Sequence, residues 1–116
     1  MPNTLGTPVV RRERSQFQGL FSVMWNVTVT ITDQDAIALN DTLRFPVTVP
    51  GVVLGDVVFA YSITNDLSDG TDQLVMGVYV TAADTVNIQF TADVAAYAID
   101  DLNDAVVKFI IGRPTW

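Results

Sequence analysis

The chain has 116 residues, a formal net charge of −7 and neither cysteine nor histidine. The missing cysteine excludes disulfides, thiol nucleophiles and thiolate metal sites, and the missing histidine removes the commonest general base and metal ligand. No Ser-His-Asp or Cys-His arrangement can be built, and charged residues make up only 16%, against roughly 25% in an ordinary soluble domain.

The length fits one domain with a real core. A pI near 4.1 disfavours nucleic acid as a partner, because phosphate binding needs clustered Lys and Arg. No apolar run approaches a membrane span, and Met1–Gly6 lacks the basic and apolar regions of a secretory signal. Val, Ile and Thr supply 38 residues, whereas Glu and Lys occur once each. β-Branched residues suit a pleated surface and lose rotamer freedom in helices, so an all-β chain is expected.

Residues 1–19 stand apart. Pro2, Gly6 and Pro8 discourage regular structure, while Arg11, Arg12 and Arg14 hold half of the six basic residues. With Glu13 the segment carries +2, leaving −9 on the other 97 residues. The split predicts an extended basic N-terminal arm on an acidic body, residues 20–116.

From Phe21 the odd positions Phe21, Val23, Trp25, Val27, Val29 and Ile31 are apolar, and the even ones are polar apart from Met24. That alternation predicts a long strand with one buried face, and Trp25 in the core. Asp33-Gln34-Asp35 and Asn40-Asp41 read as turns around a short strand or bridge at Ala36–Leu39. Leu43, Phe45, Val47 and Val49 form the next strand; Pro46 inside it predicts an edge position or a bulge. A strand over Asp56–Thr64 is apolar on both faces, as expected if it is central or covered by another subunit. The polar loop Asn65–Gln73 leads to a hairpin of Leu74–Val80 and Thr85–Thr91 joined through Ala82-Ala83-Asp84. Asp93–Asp104 reads as a helical turn or a loop, and Ala105–Ile111 as the last strand. Six strands with short turns predict a β-sandwich, preferably a jelly roll.

Candidate chemistry is sparse. Asp66, Asp69 and Asp72 flank Gly70 in the polar loop and offer oxygen ligands for Ca²⁺, but Asp and Gly are also ordinary turn residues and the spacing matches no EF-hand. Asp33 with Asp35, and Asp100 with Asp101, are the carboxylate pairs that glycoside hydrolysis would require; any chain with twelve Asp offers many such pairs. No catalytic residue, metal or cofactor is expected. Arg11, Arg12 and Arg14 suit acidic protein surfaces through bidentate contacts. Trp116, after Pro114 at the chain end, either folds back onto the body or anchors to a neighbour.

Three stretches carry a resemblance: Pro50–Val58 with its Pro-Gly and Gly-Asp pairs, Val78–Phe90 with Val-Thr-Ala-Ala-Asp-Thr-Val, and Ala105–Ile111. Together they resemble small β proteins of tailed bacteriophages, among them capsid decoration (cement) proteins and fibre modules, departing from the usual pattern at Thr91-Ala92-Asp93. The resemblance implies a virion structural protein on the outer capsid, commonly a trimer, bound to the major capsid protein across its junctions. An N-terminal arm in such proteins reaches to neighbours, which would employ Arg11, Arg12 and Arg14, with Trp116 at an interface. The alternative is a fibre or tailspike module that binds host glycans through an exposed aromatic, Tyr79 or Trp116.

Overall fold

The computed structural model describes residues 4–14, 19–33, 41–64, 67–69, 72–92, 102 and 104–116. The chain is all-β. Its strands are β1 (Thr4–Leu5), β2 (Val9–Arg14), β3 (Phe21–Asp33), β4 (Thr42–Thr48), β5 (Val57–Ile63), β6 (Ser68–Asp69), β7 (Asp72–Ala82), β8 (Thr85–Ala92) and β9 (Val106–Pro114). The Ala36–Leu39 expectation, Asp35 and the span 93–101 lie outside the described residues.

Two antiparallel sheets face each other. In the first, β3 and β9 form the centre, β5 is one edge, and β1 and β2 both pair with β3 along the other edge. The second sheet runs β4-β8-β7-β6. Alternation decides what each sheet buries. Trp25, Val27, Val29 and Ile31 of β3 and Val107, Phe109 and Ile111 of β9 meet Phe45, Val47, Val86, Ile88 and Phe90 across the sandwich. Phe45 and Phe90 pack edge to face at 6.1 Å. The six expected strands all form. Pro46 lies in edge strand β4, where a missing N–H is tolerated.

The N-terminal segment runs extended beside β3. Thr4 registers with Asp33 and Arg14 with Val23, and the Gly6 amide donates to the Thr30 carbonyl at 2.7 Å between the two short strands. At the opposite terminus the chain continues past β9: the Thr115 amide donates to the Leu20 carbonyl at 2.9 Å.

β5 behaves differently from its sequence pattern. Phe59 falls at a register shift between Val58 and Ala60, so the simple odd–even reading fails there. Val58, Tyr61 and Ile63 pair with Ile111, Phe109 and Val107 on the inward side, and Phe59 is freed to point elsewhere. β5 is an edge strand rather than a central one, which explains how both of its sides carry apolar residues at the surface.

Candidate functional site

Three surfaces follow from this arrangement. The first is a corner where β2, β9 and the β4–β5 connection meet. The Trp25 ring is buried, and its indole Nε1 donates to the Pro50 carbonyl at 3.1 Å. One guanidinium reaches it from each strand that flanks β3: Arg12 of β2 at 5.5 Å and Arg113 of β9 at 5.3 Å from the ring centre. Gly51 closes against the same ring with φ +95°, a conformation that favours glycine. Asp84, itself in the left-handed region, bridges from the β7–β8 turn. Its carboxylate accepts the Gly51 amide at 2.8 Å, and its own amide donates to the Val52 carbonyl at 2.8 Å. These contacts lock β2, β3, β9 and the two turns together at this corner.

The second surface is aromatic. Phe21 lies flat on Gly112; a Cβ there would sit 2.5 Å from the Phe21 ring. Phe59, released by the β5 bulge, stacks on Phe21 at 5.1 Å and 12°, and Trp116 tilts against Phe21 at 5.8 Å. Trp116 thus folds back onto the body, yet it remains 77% exposed, with Phe59 at 43% and Leu20 also exposed. The cluster lies on the outer side of the first sheet, because Gly112 follows inward Ile111. Farther along that side, Lys108 stands in a shallow open groove of about 350 Å³ among Asn26, Thr28, Ala60, Ser62 and Ile110.

The third surface is the outer face of the second sheet. Register sets Arg44, Gln89 and Gly77 in one row across β4, β8 and β7, and Pro46, Asn87 and Tyr79 in the next. The Tyr79 hydroxyl donates to Gln89 Oε1 at 3.1 Å. Hydrogen bonds from Asn87 and then Arg44 hold its phenol below the ordinary tyrosine range.

The expected residues are distributed unequally over these surfaces. β2 alternation places Arg12 on the same side as Trp25 and Arg11 on the other, so those two do not form one patch. Arg14 belongs to β2, and its side chain lies outside the described residues. Of the Ca²⁺ candidates, Asp69 and Asp72 are antiparallel register partners of β6 and β7, Asp66 lies outside the described residues, and no acidic cluster fit for a metal occurs among the described residues. Asp100 and Asp101 also lie outside. Tyr79 has the polar neighbours that a saccharide needs; the described neighbours of Trp116 are apolar. Sequence reading missed the roles of Phe21, Phe59 and Gly112: nothing in the alternation announces a bulge at Phe59. No protein-family profile, curated protein or solved structure matches the chain.

Proposed function

We propose that this protein is a virion structural subunit, a capsid decoration (cement) protein that works by burying surface rather than by chemistry. The observation that carries the reading is the aromatic cluster in which exposed Phe59 and Trp116 pack on half-buried Phe21. The core between the sheets is already filled by Trp25, Phe45, Phe90 and Phe109, and the cluster lies outside it. Exposed contiguous apolar patches mark interaction sites, and aromatic residues are the usual anchors of protein interfaces. The resemblance of Pro50–Val58, Val78–Phe90 and Ala105–Ile111 to phage β proteins supports the same reading and suggests a trimer on the major capsid protein. A stable contact of this kind buries about 1,200–2,000 Å² in total.

The test is capsid occupancy. Capsids stripped of the protein are mixed with wild type or with a Phe59→Ser/Trp116→Ser variant, and bound protein is measured after sedimentation. Wild type is expected to saturate the shell, and the folded variant to lose at least about tenfold in affinity. Light scattering on the isolated protein is expected to give a trimer. Full occupancy by the variant, or no binding by wild type, overturns the reading.

A further inference from the structure

We infer that the outer face of the second sheet is a saccharide-binding platform selective for carboxylate-bearing sugars, centred on Gly77 and built by Arg44, Tyr79, Asn87 and Gln89. Four observations converge on it. The platform lies on three strands fixed by backbone pairing, with Arg44, Gln89 and Gly77 in one row and Pro46, Asn87 and Tyr79 in the next. Regular strands hold such groups more precisely than loops do.

Next, Gly77 has no side chain, and nothing lies within 4 Å of where a Cβ would stand. The backbone is therefore open to a ligand at Gly77, which registers with Gln89. The Tyr79 side chain, 39% exposed, offers an aromatic surface to the C–H groups of a sugar ring.

The polar groups around Gly77 also suit hydroxyls. Gln89 and Asn87 each carry both amide donors and a carbonyl acceptor. The Tyr79 hydroxyl donates to Gln89 Oε1 at 3.1 Å. Tyr79 and Gln89 are therefore held together before any ligand arrives, which reduces the entropy lost on binding.

Charge then selects the class of sugar. On a chain of net charge −7, the outward positions of β4, β8 and β7 from Thr42 to Thr48, Thr85 to Thr91 and Val75 to Tyr79 contain no Asp or Glu, and Arg44 is their one cation. A guanidinium has five donors in a planar fork, so Arg44 can engage a carboxylate with two parallel bonds. A single cation is too few for nucleic acid. The face is too polar to dock as an apolar patch. It is also on the side of the sandwich opposite the aromatic cluster, so a capsid-bound subunit could still present it.

The experiment uses the intact isolated protein, with no capsid, so its outcome is independent of the decoration reading. A ¹⁵N-labelled sample is titrated with trigalacturonate and, separately, with the neutral galactose trisaccharide. Amide shifts are expected to concentrate on Gly77, Tyr79, Asn87 and Gln89, with the acidic sugar binding about tenfold or more tighter. Arg44→Gln is expected to bring the two sugars to equal affinity. Gly77→Leu is expected to abolish both titrations while leaving the rest of the spectrum dispersed. No shifts with either sugar, shifts elsewhere on the molecule, or equal binding of the two sugars by wild type would each overturn the inference. If Gly77→Leu unfolds the protein, Tyr79→Ala substitutes for it, and unchanged binding by Tyr79→Ala overturns the inference as well.

Discussion

Arg113 and Asp56, 57 residues apart in sequence, meet in a two-pronged ion pair in which Nε and Nη2 each donate to one carboxylate oxygen at 3.0 Å. The Asp56 side chain is only 2% exposed. Its Oδ2 also accepts the Val53 amide at 3.0 Å, and Arg113 Nη2 donates to the Gly51 carbonyl at 2.8 Å. The pair therefore fastens the end of β9 to the β4–β5 connection, beside the buried Trp25.

Removing the carboxylate leaves a guanidinium and a backbone amide without their partner. Asp56→Ala is expected to cost about 2–4 kcal/mol, toward the lower end because Arg113 is partly solvated. Urea unfolding followed by tryptophan fluorescence measures it. Arg113→Lys keeps the charge and loses the fork, so a smaller loss, about 1 kcal/mol, is expected. Donating to the Asp56 carboxylate raises the Arg113 pKa above its already high ordinary value. A raised folded-state pKa gives stability that is complete below the unfolded pKa and lost only as pH climbs through the arginine range. Arg113 therefore adds no slope to stability near neutral pH.

Gly112 is held small by Phe21. Gly112→Ala is expected to displace the Phe21 ring and destabilise by about 1–3 kcal/mol. The same change disturbs Phe59 and Trp116, so near-ultraviolet circular dichroism should lose aromatic signal. An unchanged spectrum and unchanged melting temperature would refute the packing described for this cluster.

Gly51 tests the turn under Trp25. At φ +95° an alanine is strained, and its Cβ meets Trp25 at 3.4 Å. Gly51→Ala is expected to cost about 1–2 kcal/mol, while Gly19→Ala, whose Cβ meets nothing within 4 Å, is expected to be near neutral.

Arg12 distinguishes a structural arm from a docking arm. Arg12→Ala removes a cation from the face of Trp25 and is expected to lower the stability of the isolated protein by about 0.5–1 kcal/mol. Thermal unfolding of the protein alone is the measurement; no partner is needed to see the loss.

Tyr79 is expected to ionise below the ordinary phenol value of about 10, as read by absorbance at alkaline pH against Tyr79→Phe. Asn87→Ala is expected to return most of the shift and Arg44→Gln a smaller part, in the order of their hydrogen bonds. A lowered folded-state pKa favours the phenolate form in the fold, so the effect on stability appears as pH rises and is absent at neutral pH.

The sequence by itself determined the fold class and six strands, because period-two alternation and β-branched residues admit few other structures. Alternation placed Trp25 in the core, and the missing N–H of Pro46 narrowed its strand to an edge or a bulge, of which the fold has the edge. Tertiary structure alone decided the candidate sites. Which strands neighbour one another put Arg12 and Arg113 beside one tryptophan and Arg44 within reach of Tyr79, and alternation along one strand cannot encode those pairings. A one-residue bulge at Phe59 and a missing side chain at Gly112 then built the aromatic cluster from residues 21, 59 and 116. A bulge shifts side chains from one face to the other without changing composition, so it leaves no mark in the sequence that a local reading could find.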